Sequence, residues 1–276
     1  MQSLNGKLAV VVGASRGIGK GIALELGAAG ATVYALGRTL DPKPGAPGSL
    51  AETVAEIESH GGTALAARCD ATEDSQIAAV FERVRVEYGH LDILVNSAFD
   101  AGRFASTIAT PFWELPTRVW AEVFDVGTKS AYLAAAHAAP LMLDRGGLIV
   151  NISGRAAQSY RYNVAYGVGK CALDRMTADM ALDLADHGVA VISLWPARTR
   201  TEHVAAGQDP SRDADEVLET PRFSGRAVVA LASDPGVLSR SGKKYWSAEL
   251  GEVYGFTDEH DRAHAVPDTI VWTPGS

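Results

Sequence analysis

From Lys7 to Trp195 the chain switches repeatedly between two hydrophobic rhythms. Short apolar runs rich in β-branched residues, at 7–12, 31–36, 63–67, 91–95, 148–152 and 189–195, read as strands buried on both faces. Between them, apolar residues recur at helical spacing, as with Ile18, Ile22 and Leu26 ahead of Gly30. The same spacing predicts helices over 50–59 and 73–88, a long one from about 117 to 143, and one carrying Tyr166 and Lys170. Strands alternating with helices imply right-handed βαβ units. The expected fold is α/β: a doubly wound, Rossmann-type parallel sheet with helices on both faces.

Three stretches break the rhythm. Residues 41–49, rich in Pro and Gly, form a loop after strand two. Residues 197–220 are polar and weakly periodic, as a cover over a pocket would be. The tail from 257 is charged and then Pro-containing, with no element assigned to it. One domain over 1–256 followed by a tail over 257–276 is the expected organisation, and 276 residues suit a single large α/β unit.

Composition narrows the function classes. The formal net charge of -8 and the lack of a basic run argue against nucleic acid or an anionic membrane surface as partner. Two cysteines, Cys69 and Cys171, stand in no metal-like spacing and suit a reducing compartment. No signal peptide is readable, and the most apolar helix candidate, 131–143, is too short to span a bilayer. A cytoplasmic protein is expected. His260 and His264 lie four apart with no evident third ligand, so no metal site is expected and a solvated tail is the simpler reading.

The candidate chemistry begins at Gly13-Ala-Ser-Arg-Gly17-Ile-Gly19, between the first strand and first helix. Glycines there permit a tight turn and let a diphosphate approach the helix N-terminus, where backbone N–H groups and the helix dipole favour an anion. Strand two ends Leu36-Gly37-Arg38, with no carboxylate to bind a ribose 2′-hydroxyl. Arg38 with Arg16 can bracket a 2′-phosphate, which favours NADP(H) over NAD(H); two exposed arginines at a sheet edge are the alternative. Asp70 can accept from an adenine amino group beside Ala71, or it caps the next helix, as Thr72 also can.

Tyr166 and Lys170, at i and i+4, share a helix face. A fixed positive charge favours phenolate, so the tyrosine can pass a proton to or from a carbonyl or alcohol oxygen near neutral pH. Ser153 lies thirteen residues before Tyr166 and is otherwise an ordinary strand-end serine. Phe99, Phe112, Trp113, Tyr160, Tyr162 and Trp246 are candidates, as a group, for an apolar pocket lining.

Taken together these residues resemble the short-chain dehydrogenases/reductases from Lys7 to about Ser247. The likeness rests on the glycine motif, Asp70, Asn96, Ser153, Tyr166-x-x-x-Lys170, and Pro196 with Thr201. A narrower likeness within the family rests on Val164-Ala-Tyr-Gly-Val-Gly-Lys170, Ser193-Leu-Trp-Pro196 and Leu231-Ala-Ser-Asp-Pro235. The resemblance implies Tyr166 as acid/base, Lys170 as its electrostatic support and ribose ligand, and Ser153 as the group bonding the substrate oxygen. It implies cofactor contacts from Gly13, Ser15, Arg16, Gly17, Ile18, Gly19, Arg38, Asp70, Ala71, Asn96, Ser97 and Ala98. Pro196, the backbone near Thr199 and the Thr201 hydroxyl would hold the carboxamide. It further implies a homodimer or homotetramer and a small, apolar carbonyl or alcohol substrate.

Four departures accompany the likeness. Phe99 stands where the family has glycine, Gly127 where it has a relay asparagine, and Ala197 replaces the glycine after Pro196. Counting forward from Asn151 puts the catalytic serine at Gly154, whereas counting back from Tyr166 puts it at Ser153. An NADP(H)-dependent carbonyl reductase or alcohol dehydrogenase is the leading expectation. A non-catalytic NADP(H)-binding sensor or scaffold is the alternative. A methyltransferase on a similar glycine-rich fold would not need Tyr166 and Lys170.

Overall fold

The computed structural model describes residues 3–45, 47–100, 107–108, 110–206 and 218–267. Its strands are β1 (Leu8–Val12), β2 (Thr32–Gly37), β3 (Thr63–Arg68), β4 (Ile93–Asn96), β5 (Gly147–Ile152), β6 (Val189–Trp195) and β7 (Lys244–Trp246). The helices are α1 (Gly17–Ala28), α2 (Leu50–Ser59), α3 (Asp74–Tyr88), α4 (Arg118–Val123), α5 (Ser130–Ala138), α6 (Val164–Asp183), α7 (Glu202–Ala205), α8 (Pro221–Ser233) and α9 (Ser247–Tyr254). All strands are parallel in the order β3-β2-β1-β4-β5-β6-β7. The order reverses at β1, and in such sheets ligands bind outside the carboxyl ends of the strands at that point.

Both faces of the sheet are covered, which explains why its strands are apolar throughout. Along β1, Ala9 and Val11 face a core built with Ile22 and Leu26 of α1 and Val228 and Leu231 of α8. Val10 and Val12 face the opposite core with Ile77, Phe81 and Val84 of α3 and Ala134 and Ala138 of α5. Period-two alternation thus sorts residues between two dry layers rather than between core and water.

The expected six strands fall within two or three residues of their places. The seventh, β7, is three residues long and pairs with Ser193–Trp195 of β6; so short a run has no readable period. The long helix expected from 117 to 143 is broken. Between α4 and α5 the chain runs as a π-helix over Phe124–Lys129, and it closes in a 3-10 turn at Ala139–Leu141. Pro140 accounts for the end, since it cannot donate to an α-helical ladder. Single π turns inside helices cluster at functional sites, and this one contributes Val126 to the cavity wall.

In the described part of the tail, residues 260–263 are exposed as expected, but His264 is not solvated. His264 has 6% of its side chain exposed, lies 2.8 Å from Asp258, and packs on the Phe223 ring at 4.9 Å. Among the described residues no cluster of His, Cys, Asp and Glu can hold a metal ion, and no helix is long and apolar enough to cross a membrane.

Candidate active site

A cavity of about 460 Å³ opens along the carboxyl ends of the strands, from Arg38 and Asp70 past the glycine turn to Tyr166 and Lys170. It brings together every residue named above for cofactor or catalysis except Asn96. Asn96 is instead buried in the sheet, where its Nδ2 donates to Asn151 Oδ1 at 2.9 Å and Ala131 O at 3.3 Å. It pins β4 to β5 below the cavity. Its neighbours Ser97 and Ala98 line the wall.

The glycine turn is a cradle that side chains would fill. Gly13 has φ +87, and a Cβ there would lie 2.8 Å from the backbone of Ala98. A Cβ on Gly19 would come within 2.2 Å of the Gly13 carbonyl. Only glycine admits both this conformation and this approach. Arg16 occupies the N-cap of α1 and forms no side-chain cap bond, so the first N–H groups of the helix are free to bind an anion. A carboxylate already does so: Gly17 N–H donates to Glu202 Oε2 at 2.9 Å, reaching across from α7. The carboxylate seated at this N-terminus presents the negative charge and acceptor oxygens that a phosphate also presents. The residues fit a dinucleotide.

At the β2–β3 end of the cavity, Arg38 pairs with Asp100 at 2.9 Å and Arg16 donates to Thr39 at 3.2 Å. Asp70 does not cap α3, whose N-cap is Glu73. Its Oδ1 accepts from both the N–H and the hydroxyl of Thr72, closing a local turn.

The opposite end is built on α6. Asn163, 1% exposed, caps this helix by accepting from the N–H of Tyr166 at 3.0 Å. The cap places Tyr166 in the first turn and Lys170 one turn on, as i, i+4 spacing requires. Phe99 meets the Tyr166 ring edge-on at 5.5 Å, and Tyr162 does so from another side at 5.3 Å. Lys170 Nζ lies 5.6 Å from the Phe99 ring centre and 5.7 Å from that of Tyr166, and donates to Ile152 O at 2.8 Å. Burial of the ammonium pushes its pKa down to about 8, against the opposing pull of Asp174. Phe99, the residue that replaces a glycine, thus belongs to the apolar shell around the lysine.

Ser153 extends β5 and is 5% exposed. Its hydroxyl donates to the backbone carbonyl of Lys170 at 3.1 Å, while Gly154 follows it along the cavity wall. Gly127 lies in the π segment with open space where a side chain would be. Beyond β6, Pro196, Ala197, Thr199 and Thr201 line the cavity beside the glycine turn. Thr201 caps α7 through Val204 N–H, and Ala197 N–H donates to Glu219 Oε2 at 3.1 Å. The middle of the expected cover, 207–217, lies outside the described residues.

Comparison with known proteins gives the family. A sequence model of the family described as short chain dehydrogenase matches residues 7–211. The chain belongs to that family. It is an oxidoreductase with an NAD(P)-binding Rossmann fold, in a family acting on hydroxyl and carbonyl groups. It is similar to dehydrogenase/reductase SDR family member 1 of Homo sapiens, with 42% identity over 273 residues, covering 94% of this chain and 85% of the relative. It is 31% identical over 236 residues to a 3β-hydroxysteroid dehydrogenase of Mediterraneibacter gnavus, covering 80% of each. Among solved structures it resembles a 7α-hydroxysteroid dehydrogenase complexed with NADH and 7-oxo glycochenodeoxycholic acid (TM-score 0.76, 27% identity, 89% of this chain and 94% of that one). It also resembles a phenylalanine-to-tryptophan variant of actinorhodin polyketide ketoreductase with NADPH (TM-score 0.74, 26% identity, 87% and 95%).

Sequence reasoning missed Glu202, Glu219, Arg155 and Arg161. Glu202 is 185 positions from the Gly17 N–H it binds, a separation that no local pattern reveals.

Proposed function

We propose that this chain is an NADP(H)-dependent oxidoreductase that interconverts a carbonyl and an alcohol at the Tyr166–Lys170 end of the cavity. The observation that carries the reading is one continuous cavity joining the glycine turn to a tyrosine and a buried lysine on one face of α6. A reduced nicotinamide bound there would supply the hydride for the carbonyl carbon. Tyr166 donates its proton to the carbonyl oxygen, and the Lys170 charge stabilises the phenolate left behind. The apolar shell of Phe99 and Tyr162 excludes water and strengthens that support. Ser153 assists by turning its hydroxyl from the Lys170 carbonyl to the substrate oxygen. Pro196, Thr199 and Thr201 hold the nicotinamide end, and the glycine turn with Ser15, Ile18, Ala71, Ser97 and Ala98 holds the rest.

Arg38 and Arg16 favour NADP(H) because both reach the cavity beyond β2, where no carboxylate of the strand itself competes. Arg38 must exchange Asp100 for a 2′-phosphate, and the phosphate's greater charge favours that exchange.

Loss of reduced-nicotinamide absorbance across a panel of aldehydes and ketones tests the reaction. Tight NADPH binding with no turnover on any of them would establish the sensor alternative. Titrating NADPH and NADH into wild type and Arg38→Ala tests the cofactor. A preference for NADPH that shrinks about tenfold in the variant is expected; tighter NADH binding in wild type overturns it.

A further inference from the structure

Five arginines line the cavity, and they fall into two groups. Arg16 bonds Thr39, Arg38 pairs with Asp100, and Arg198 also has an interaction partner. Arg155 and Arg161 differ. Neither guanidinium has a hydrogen-bond or ion-pair partner among the described residues, and Arg155 Nε is shielded from water with nothing to donate to. A buried donor left unpaired is costly, so a native structure that keeps one calls for an explanation.

Their position supplies it. Arg155 is two residues past Ser153 in the 3-10 turn Arg155–Ala157, which follows β5 and packs on α6. Arg161 directly precedes Tyr162, whose ring meets Tyr166. The backbone holding Arg161 is strained: Tyr162 has φ +64, and Asn163 N–H closes a tight turn onto Arg161 O at 2.8 Å. Non-glycine residues seldom adopt that conformation, and such strain persists where surrounding structure enforces it. The carboxylates lining the cavity are Asp70, Asp100 and Glu202, which are bonded to Thr72, Arg38 and Gly17. None of these partners lies on β5 or α6. The catalytic end therefore presents two cations to a ligand with no lining carboxylate engaging them.

We infer that Arg155 and Arg161 form a subsite for an organic anion, and that the preferred substrate is a carbonyl or alcohol compound with a carboxylate at its far end. Arg155 and Arg161 supply charge-assisted hydrogen bonds to the carboxylate, while Phe99 and Tyr162 cover the apolar part next to the reacting carbon. The pair serves the substrate rather than the nucleotide. The adenosine end lies over β2 and β3, across β1 and β4 from β5. The inference rests on the reductase reading for the reacting end, whereas the anion subsite is a statement about binding.

The test compares acids with their neutral methyl esters: terephthalaldehydic acid and an ω-oxo nonanoic acid, a short and a long spacing. In wild type with NADPH, kcat/KM for at least one acid should exceed that for its ester by roughly tenfold or more, mainly through KM. In the double variant Arg155→Gln, Arg161→Gln the ratio should fall to about one. Arg155→Lys, Arg161→Lys, which keeps the charge but loses the planar fork, should retain part of the preference. Equal turnover of acid and ester in both pairs, or a preference that survives the glutamines, overturns the inference. Binding separates this failure from that of the reductase reading. The thermal shift of NADPH-saturated protein should be larger with acid than with ester even where neither is reduced, and the glutamines should remove the difference. An acid that shifts the protein no more than its ester also overturns the subsite.

Discussion

From the glycine turn after β1 to the β2–β3 end of the cavity the charged groups are already engaged: Arg38 with Asp100, Arg16 with Thr39, Asp70 with Thr72, and Glu202 with the N–H of Gly17. At the β5–α6 end, Lys170 is held by one backbone carbonyl amid aromatic rings, and Arg155 and Arg161 are unpartnered by any described residue. A ligand entering the first end exchanges one set of ionic contacts for another, so affinity there is a difference between two well-solvated arrangements. A ligand entering the second satisfies groups that no described residue satisfies. On the proposed reading, the first end suits recognition of a recurring cofactor, and the second holds charge where its effect on a reacting atom is greatest.

The sharpest way to break this contrast is at the phenol. Tyr166→Phe keeps the ring that packs on Phe99 and Tyr162 and removes only the acid. Turnover should fall about 10²–10⁴-fold, while NADPH affinity from fluorescence titration changes little. A residual rate close to wild type would place the proton donor elsewhere.

The contrast also shows what was legible in the sequence. The glycine turn was readable because strand, turn and helix are contiguous, and the same locality exposed Tyr166 and Lys170 through helix spacing. Asn96 was misplaced because it adjoins Ser97 and Ala98 in sequence, yet strand alternation turns its side chain into the sheet. The π segment in the middle of the expected long helix was invisible, since one extra residue per turn hardly disturbs an apolar pattern. Arg155 and Arg161 look like ordinary surface arginines until the chain folds them over the cavity. Glu219 looks like an ordinary surface acid until the fold buries it and brings the Asp258 charge near it.

A smaller effect tests the exchange at the nucleotide end. Glu202 occupies the anion position at Gly17, so a diphosphate must displace it. Glu202→Gln leaves a neutral, weaker acceptor there. Because hydrogen bonds to charged groups are roughly twice as strong as neutral ones, NADPH should bind about fivefold more tightly. Calorimetric titration measures it. Weaker binding in the variant would mean that Glu202 organises the turn for the cofactor rather than holding its place.

A last test lies behind the cavity and depends on pH. Glu219 is 1% exposed, and its backbone pairs with Arg198 and Arg200 while its Oε2 accepts from Ala197 N–H. Burial pushes its pKa up to about 8; the Ala197 bond opposes this and the Asp258 charge adds to it. Asp258 takes the ionised role. Burial works against its charge, but hydrogen bonds from Thr220 and His264 outweigh that and hold its carboxyl below the usual range. A carboxyl whose folded pKa is raised stabilises the fold fully below its unfolded value of about 4.3, and that stability is lost as pH rises through about 8. Glu219→Gln removes the titration and preserves the acceptor for Ala197. The melting temperature of wild type should therefore fall relative to the variant between about pH 5 and about pH 9, with the variant the more stable at the alkaline end. Parallel profiles would mean that Glu219 is ionised throughout and that the loop carrying Thr199 and Thr201 tolerates a second buried charge.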